Sequence, residues 1–212
     1  MFSQNSVMVF LQVGTGFFWI LTYLLIIKRG FQDKTYGMPM AAICANISWE
    51  FIFSFLYRFN ELQVMINMTW FFLDVVILIQ YLLFGGKGFK KYLSVKYFLP
   101  NFMLTLGLSF LIILAATHEF NDFEGKYAAF SQNLMMSVLF VSLLIRRGNL
   151  SGQSIYIGVF KMIGSVLPAI AFILYFPSLL IIMLAIATFI FDLIYVTLLY
   201  RMSITSSLTR FI

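Results

Sequence analysis

Residues 7–27 read VMVFLQVGTGFFWILTYLLII and are followed at once by Lys28-Arg29. A stretch of this length with no charge makes a helix about 30 Å long at 1.5 Å per residue, which matches the hydrocarbon core of a bilayer. Six further apolar runs fall at about 37–57, 63–84, 97–117, 127–145, 154–175 and 177–200. The composition agrees: of 212 residues 62% are apolar or aromatic, 19% are aromatic and only 10% are charged. A soluble domain carries about 25% charged residues. The mean hydropathy of +0.96 points the same way. The expected fold is all-α, one seven-helix transmembrane domain spanning residues 1–212, because a chain without closed-barrel alternation satisfies its backbone in lipid only as helices.

These figures exclude a soluble domain, a nucleic-acid binder and a disulfide scaffold. The net charge of +6 first reports topology rather than an anionic partner. Cys44 is the single cysteine, so no Cys-based metal site is expected. Lys28 and Arg29 act as a stop-transfer flank rather than a cleavage site, and the first run is expected to remain as a span. Gly85-Gly86, Gly88, Gly148 and Gly152 are expected to punctuate loops, and Pro177-Ser178 to turn the chain between the last two spans.

Basic residues alternate between loops. Lys28, Arg29, Lys34, Lys87, Lys90, Lys91, Lys96, Arg146, Arg147, Arg201 and Arg210 fall on one face, against Arg58 and Lys126 on the other. The positive-inside rule then places the N-terminus outside and the C-terminus in the cytoplasm. Phe71-Phe72-Leu73-Asp74 resembles Phe189-Ile190-Phe191-Asp192, an offset that would suit a 3+1+3 repeat.

Four ionisable residues lie within the spans: Glu50, Asp74, Lys161 and Asp192. Each costs about 2.5–3.5 kcal/mol at a helix centre on insertion scales, which makes them functional candidates. Lys161 has two readings, an ion pair with one of the acids or a snorkelling side chain. Asn46, Glu50, Ser54 and Tyr57 form one polar stripe on span two. Asn67, Trp70, Asp74 and Tyr81 do so on span three, Gln12, Thr15, Trp19 and Tyr23 mark span one, and Thr188, Asp192 and Tyr195 mark span seven. Inward-turned, such stripes describe an aromatic cavity holding acids. An acid donates a proton there, and aromatic faces attract a cation. The same parts would serve a proton-coupled transporter.

The stretch Tyr36-Gly37-Met38-Pro39-Met40-Ala41-Ala42-Ile43-Cys44-Ala45-Asn46-Ile47-Ser48-Trp49-Glu50-Phe51 resembles the signature of the membrane-integral terpene cyclases of fungal meroterpenoid and indole-diterpene pathways and their bacterial relatives. Phe191-Asp192-Leu193-Ile194-Tyr195 stands where that family has an acid in its last span. The resemblance implies that Glu50 and Asp192 are the catalytic acids, protonating an alkene or epoxide of a linear prenyl chain to start ring closure. Asn46, Trp49, Trp70, Asp74, Tyr195, Lys161 and Trp19 would bind substrate, and Glu50 and Asp192 would line one closed aromatic pocket. Neither DDxxD nor DxDD occurs, so a reaction without metal or cofactor is the consistent option. The expected partners are a hydrophobic prenyl or terpenoid substrate and the lipid bilayer. The short loops favour a bacterial-type relative in the plasma membrane, with a substrate lacking a bulky aromatic head group. The rival reading is a small seven-span proton-coupled transporter or carrier, although the Pro-Gln signature of small sugar transporters is missing.

Overall fold

The computed structural model describes residues 6–90 and 93–208, so Lys91 and Arg210 of the basic face lie outside the described residues. Those residues form seven helices and no strand: α1 (Ser6–Gln32), α2 (Met40–Phe51), α3 (Glu61–Phe89), α4 (Phe98–Glu119), α5 (Lys126–Arg147), α6 (Ile155–Tyr175) and α7 (Leu179–Leu208). Local chemistry sets the boundaries. The Asn60 side chain accepts a hydrogen bond from the Gln63 amide to open α3, and Ser154 does the same for Ile157 in α6. The Asp122 carboxylate accepts from the amides of Lys126 and Tyr127 at 3.0 and 2.7 Å, capping α5. Gly148, at φ 64°, closes α5 in the left-handed region.

Six of the seven helices are long and apolar enough to cross a membrane. The exception is α2. Pro39 occupies its N-cap, so the helix starts at Met40 rather than near residue 37, and a π-helical turn over Ile52–Leu56 ends it. Met40–Leu56 spans only about 25 Å at an α-helical rise. It is short because it is interior: every residue from Ala42 to Glu50 is buried. The other helices turn Phe10, Phe72, Leu104, Ile112 and Leu179 outward, the apolar surface of a multi-pass membrane protein.

Helix α1 packs on α3 and α6, α2 packs on α3, α4 and α5, and α7 bridges α5 and α6. Small residues allow the close approaches of α1. A Cβ at Gly14 would stand 3.0 Å from Leu167 on α6, and one at Gly16 would stand 3.2 Å from Ile66 on α3. The expected loop at Gly85, Gly86 and Gly88 is not observed, since α3 runs through all three. A Cβ at Gly85 would lie 3.1 Å from the Phe98 and Tyr81 rings, so that glycine serves packing rather than chain reversal. The turn at Pro177-Ser178 and the loop glycines 148 and 152 are as expected.

Candidate active site

One cavity of about 790 Å³ is lined by side chains of α1, α2, α3, α5 and α6, with α4 and α7 outside it. It runs from the end of the bundle that carries Met8, Asn60, Glu124 and Phe176 down to Tyr23, Asn46 and Glu50. Its upper wall carries amides. Gln12 Nε2 donates to Gln63 Oε1 at 2.8 Å, and Gln63 Nε2 donates to Asn67 Oδ1 at 2.7 Å. Much of the remaining wall is aromatic. Trp19, Trp49 and Trp70 all face it, and two of these indoles are fixed by backbone acceptors. Trp49 Nε1 donates to the Gly125 carbonyl at 2.9 Å and Trp70 Nε1 to the Gly16 carbonyl at 3.3 Å. Gly125 holds φ 73°, and a Cβ there would collide with the Phe53 ring at 2.5 Å, so α5 begins hard against the π-helical turn that ends α2.

Glu50 sits at the lower end, 1% exposed, one α-helical turn after Asn46. Tyr23 donates its hydroxyl to Glu50 Oε1 at 3.1 Å, and Asn46 Nδ2 donates to the same tyrosine oxygen. Asp74 of α3, fully buried, stands near Glu50 and Asn46, and neither of its carboxylate oxygens has a hydrogen-bond partner among the described residues. Tyr23 of α1 thus holds the Glu50 carboxyl group directly and Asn46 of α2 holds Tyr23, while α3 brings Asp74 to the same region. The spacing of Asn46 and Glu50 puts them on one face, and the enclosed position of α2 turns that face into the bundle.

The second acid stands elsewhere. Asp192 of α7 does not line the cavity; its Oδ1 accepts a hydrogen bond from Lys161 Nζ at 2.7 Å. Lys161 also donates to Ser137 Oγ at 2.6 Å, and it is 0% exposed, which excludes the snorkelling reading in favour of the ion pair. The expectation of one pocket lined by Glu50 and Asp192 is therefore corrected, because α7 packs behind the junction of α5 and α6. Of the other anticipated contacts, Asn46, Trp49, Trp70 and Trp19 line the cavity, whereas Asp74, Lys161 and Tyr195 stand behind its walls. Tyr195 is fully buried against Phe140, with its hydroxyl donating to Gln153 Oε1 at 3.0 Å. The wall supplied by α5 and α6, including Gln132, Asn133, Pro168 and Phe172, was not anticipated. Its legible signal is Asn133 and Ser137 at i and i+4, the same stripe logic applied to span five.

Fold and site together define a polytopic helical membrane protein with a buried carboxyl group at the base of an aromatic cavity. The family model of Pyr4-like transmembrane terpene cyclases matches residues 2–205, and the chain belongs to that family. It is 30% identical over 165 residues to the Pyr4-family terpene cyclase mfmH of Annulohypoxylon moriforme, covering 76% of this chain and 68% of that one. It is 29% identical over 164 residues to the terpene cyclase macJ of Penicillium terrestre, with 74% and 63% covered. It is 28% identical over 160 residues to asnovolin H synthase nvfL of Aspergillus novofumigatus, with 74% and 65% covered. The matches thus span about two thirds of these relatives' lengths. No solved structure matches the chain. These three relatives are fungal, so the expected placement in a bacterial plasma membrane finds no support.

Proposed function

We propose that the protein is an integral-membrane terpene cyclase that closes rings in a linear prenyl or terpenoid chain by protonating an alkene or epoxide, without a metal or cofactor. The observation that carries this reading is the placement of Glu50. It is a buried carboxyl group at the cavity base, held by Tyr23, which Asn46 holds in turn, in a cavity that three tryptophans also line. A cavity of about 790 Å³ is in the range of sites that enclose a small organic molecule.

The chemistry follows from proton accounting. Glu50 borders the cavity, whereas Asp74 stands behind it on α3. In its acid form Glu50 gives its proton to the substrate, to the terminal alkene carbon or the epoxide oxygen, and becomes a carboxylate. The positive charge then moves along the chain as each double bond closes a ring, while the faces of Trp19, Trp49 and Trp70 stabilise it. Loss of a proton from the final cation gives the neutral product and restores the proton count. Tyr23, donating to Glu50, disperses the carboxylate charge once the proton has left. Asp192, the second acid of the family pattern, contributes from behind the wall.

The seventh crossing, the outward N-terminus and the repeat belong to the same proposal. Supporting the orientation, the cavity opens at the end of the bundle opposite the basic loops. Supporting the repeat, α1 meets α3 as α5 meets α7, and α2 meets α3 as α6 meets α7. The test of function is Glu50→Gln in membranes supplied with a linear prenyl substrate. Cyclised product should disappear at unchanged expression, and full activity in that variant would sink the assignment.

A further inference from the structure

The charged pair Lys161–Asp192 sits where α5, α6 and α7 meet, and neither member borders the cavity. It nevertheless touches the wall twice. Lys161 Nζ donates to Asn133 Oδ1 at 3.4 Å, and the ammonium lies over the Trp19 ring, 5.7 Å from its centroid. Asn133 and Trp19 are both lining residues. Their seats are shaped to match. Ser165 Oγ reaches the same Asn133 oxygen at 3.3 Å, and a Cβ at Gly164 would meet Trp19 Cδ1 at 2.9 Å.

Removing the charge of Asp192 would leave the desolvated Lys161 ammonium facing only neutral oxygens, those of Ser137, Asn133 and the amide that replaces the carboxylate. A buried charge without its counter-charge is strongly unfavourable, and in a low-dielectric interior its field reaches well beyond contact distance. That field would fall on a space where positive charge has to develop. The ammonium would also be held more tightly by Trp19, a ring the substrate cation needs.

We infer that Asp192 is a positioning residue that acts through Lys161: its carboxylate cancels the lysine charge and, with it, fixes Asn133 and Trp19 in the cavity wall, without exchanging a proton with the substrate. This inference rests on the cyclase reading. Its distinctive consequence is that the harm done by losing Asp192 depends on Lys161 being present.

The experiment compares wild type, Asp192→Asn and the double variant Lys161→Met/Asp192→Asn, each normalised to monodisperse protein. The probes are linear prenyl chains with and without a terminal epoxide. Conversion by no variant, the wild type included, would defeat the cyclase reading itself and is distinguishable from every outcome for the pair. Asp192→Asn is expected to lose at least about 100-fold in kcat, with KM changed much less. The double variant should recover at least about tenfold over the single one. A folded double variant no better than Asp192→Asn overturns the inference, because the carboxyl group itself would then be required. Activity that falls only in proportion to folded protein also overturns it, reducing the pair to a fastener between helices. If Asp192→Asn cannot be recovered folded, the double variant decides alone. A kcat within about tenfold of wild type supports the inference, and complete inactivity in folded protein overturns it.

Discussion

Within its spans the bundle buries acids in two settings that differ in what faces them. Glu50 and Asp74 sit together with Tyr23 and Asn46, and no cation is hydrogen-bonded to Glu50 among the described residues. Asp192 is in direct contact with Lys161 and is walled off from the cavity. On the proposed reading, the first arrangement presents a proton donor at the wall of the cavity. The second consumes a charge to neutralise another, and its members act on the cavity only through Asn133 and Trp19. Burial alone does not make an acid a proton donor; access to the substrate and the lack of a paired cation do.

The contrast is broken most severely at Glu50. Glu50→Gln should reduce cyclisation by at least about 10³-fold, the upper range for loss of a positioned general acid. Adding Asp74→Asn should restore nothing, unlike the expected rescue at the Lys161–Asp192 pair. Recovery in that double variant would make the two settings equivalent. Asp74→Asn alone should cost about 10–100-fold in kcat, because Glu50 loses its neighbouring carboxyl group. Tyr23→Phe removes one hydrogen bond to a group that becomes charged, so about a tenfold loss in kcat is expected with folded yield retained. Trp70→Phe keeps an aromatic face but deletes the donor to the Gly16 carbonyl, and should cost about threefold or less while changing the ratio of cyclised products. The smallest effect is expected at the mouth, where Tyr57 and His118 share a 2.8 Å hydrogen bond in an exposed setting. Tyr57→Phe should change kcat by less than about twofold.

The sequence reveals these two settings unequally. Glu50 and Asn46 are one helical turn apart in an apolar run, so their shared face is legible, and the interior position of α2 completes the argument. The inward stripes of spans one and three are legible for the same reason, since a polar group facing lipid is disfavoured. Asp192 is legible as an exception within its helix, but its partner is not. Lys161 is 31 residues away, and only the packing of α6 against α7 selects it over Glu50 or Asp74 as the acid's neighbour. Glycine misleads in α3, where hydropathy falls at Gly85 while the helix continues, because close packing and chain reversal call for the same residue. The contribution of α5 and α6 to the wall is hidden for another reason. Phe172 and Pro168 look like ordinary span residues, and only tertiary geometry turns them toward the cavity.

The central claim is that the acid at the cavity base starts an isomerising ring closure. It is tested most directly by incubating the purified protein with linear prenyl substrates, with and without a terminal epoxide, and analysing mass and unsaturation of the product. The account predicts a product of unchanged mass in which each new carbocycle replaces one carbon–carbon double bond or, for the first ring formed from an epoxide, the epoxide ring, formed by wild type and absent with Glu50→Gln. A product heavier by one water, recovery of every substrate unchanged, or equal conversion by Glu50→Gln would contradict it.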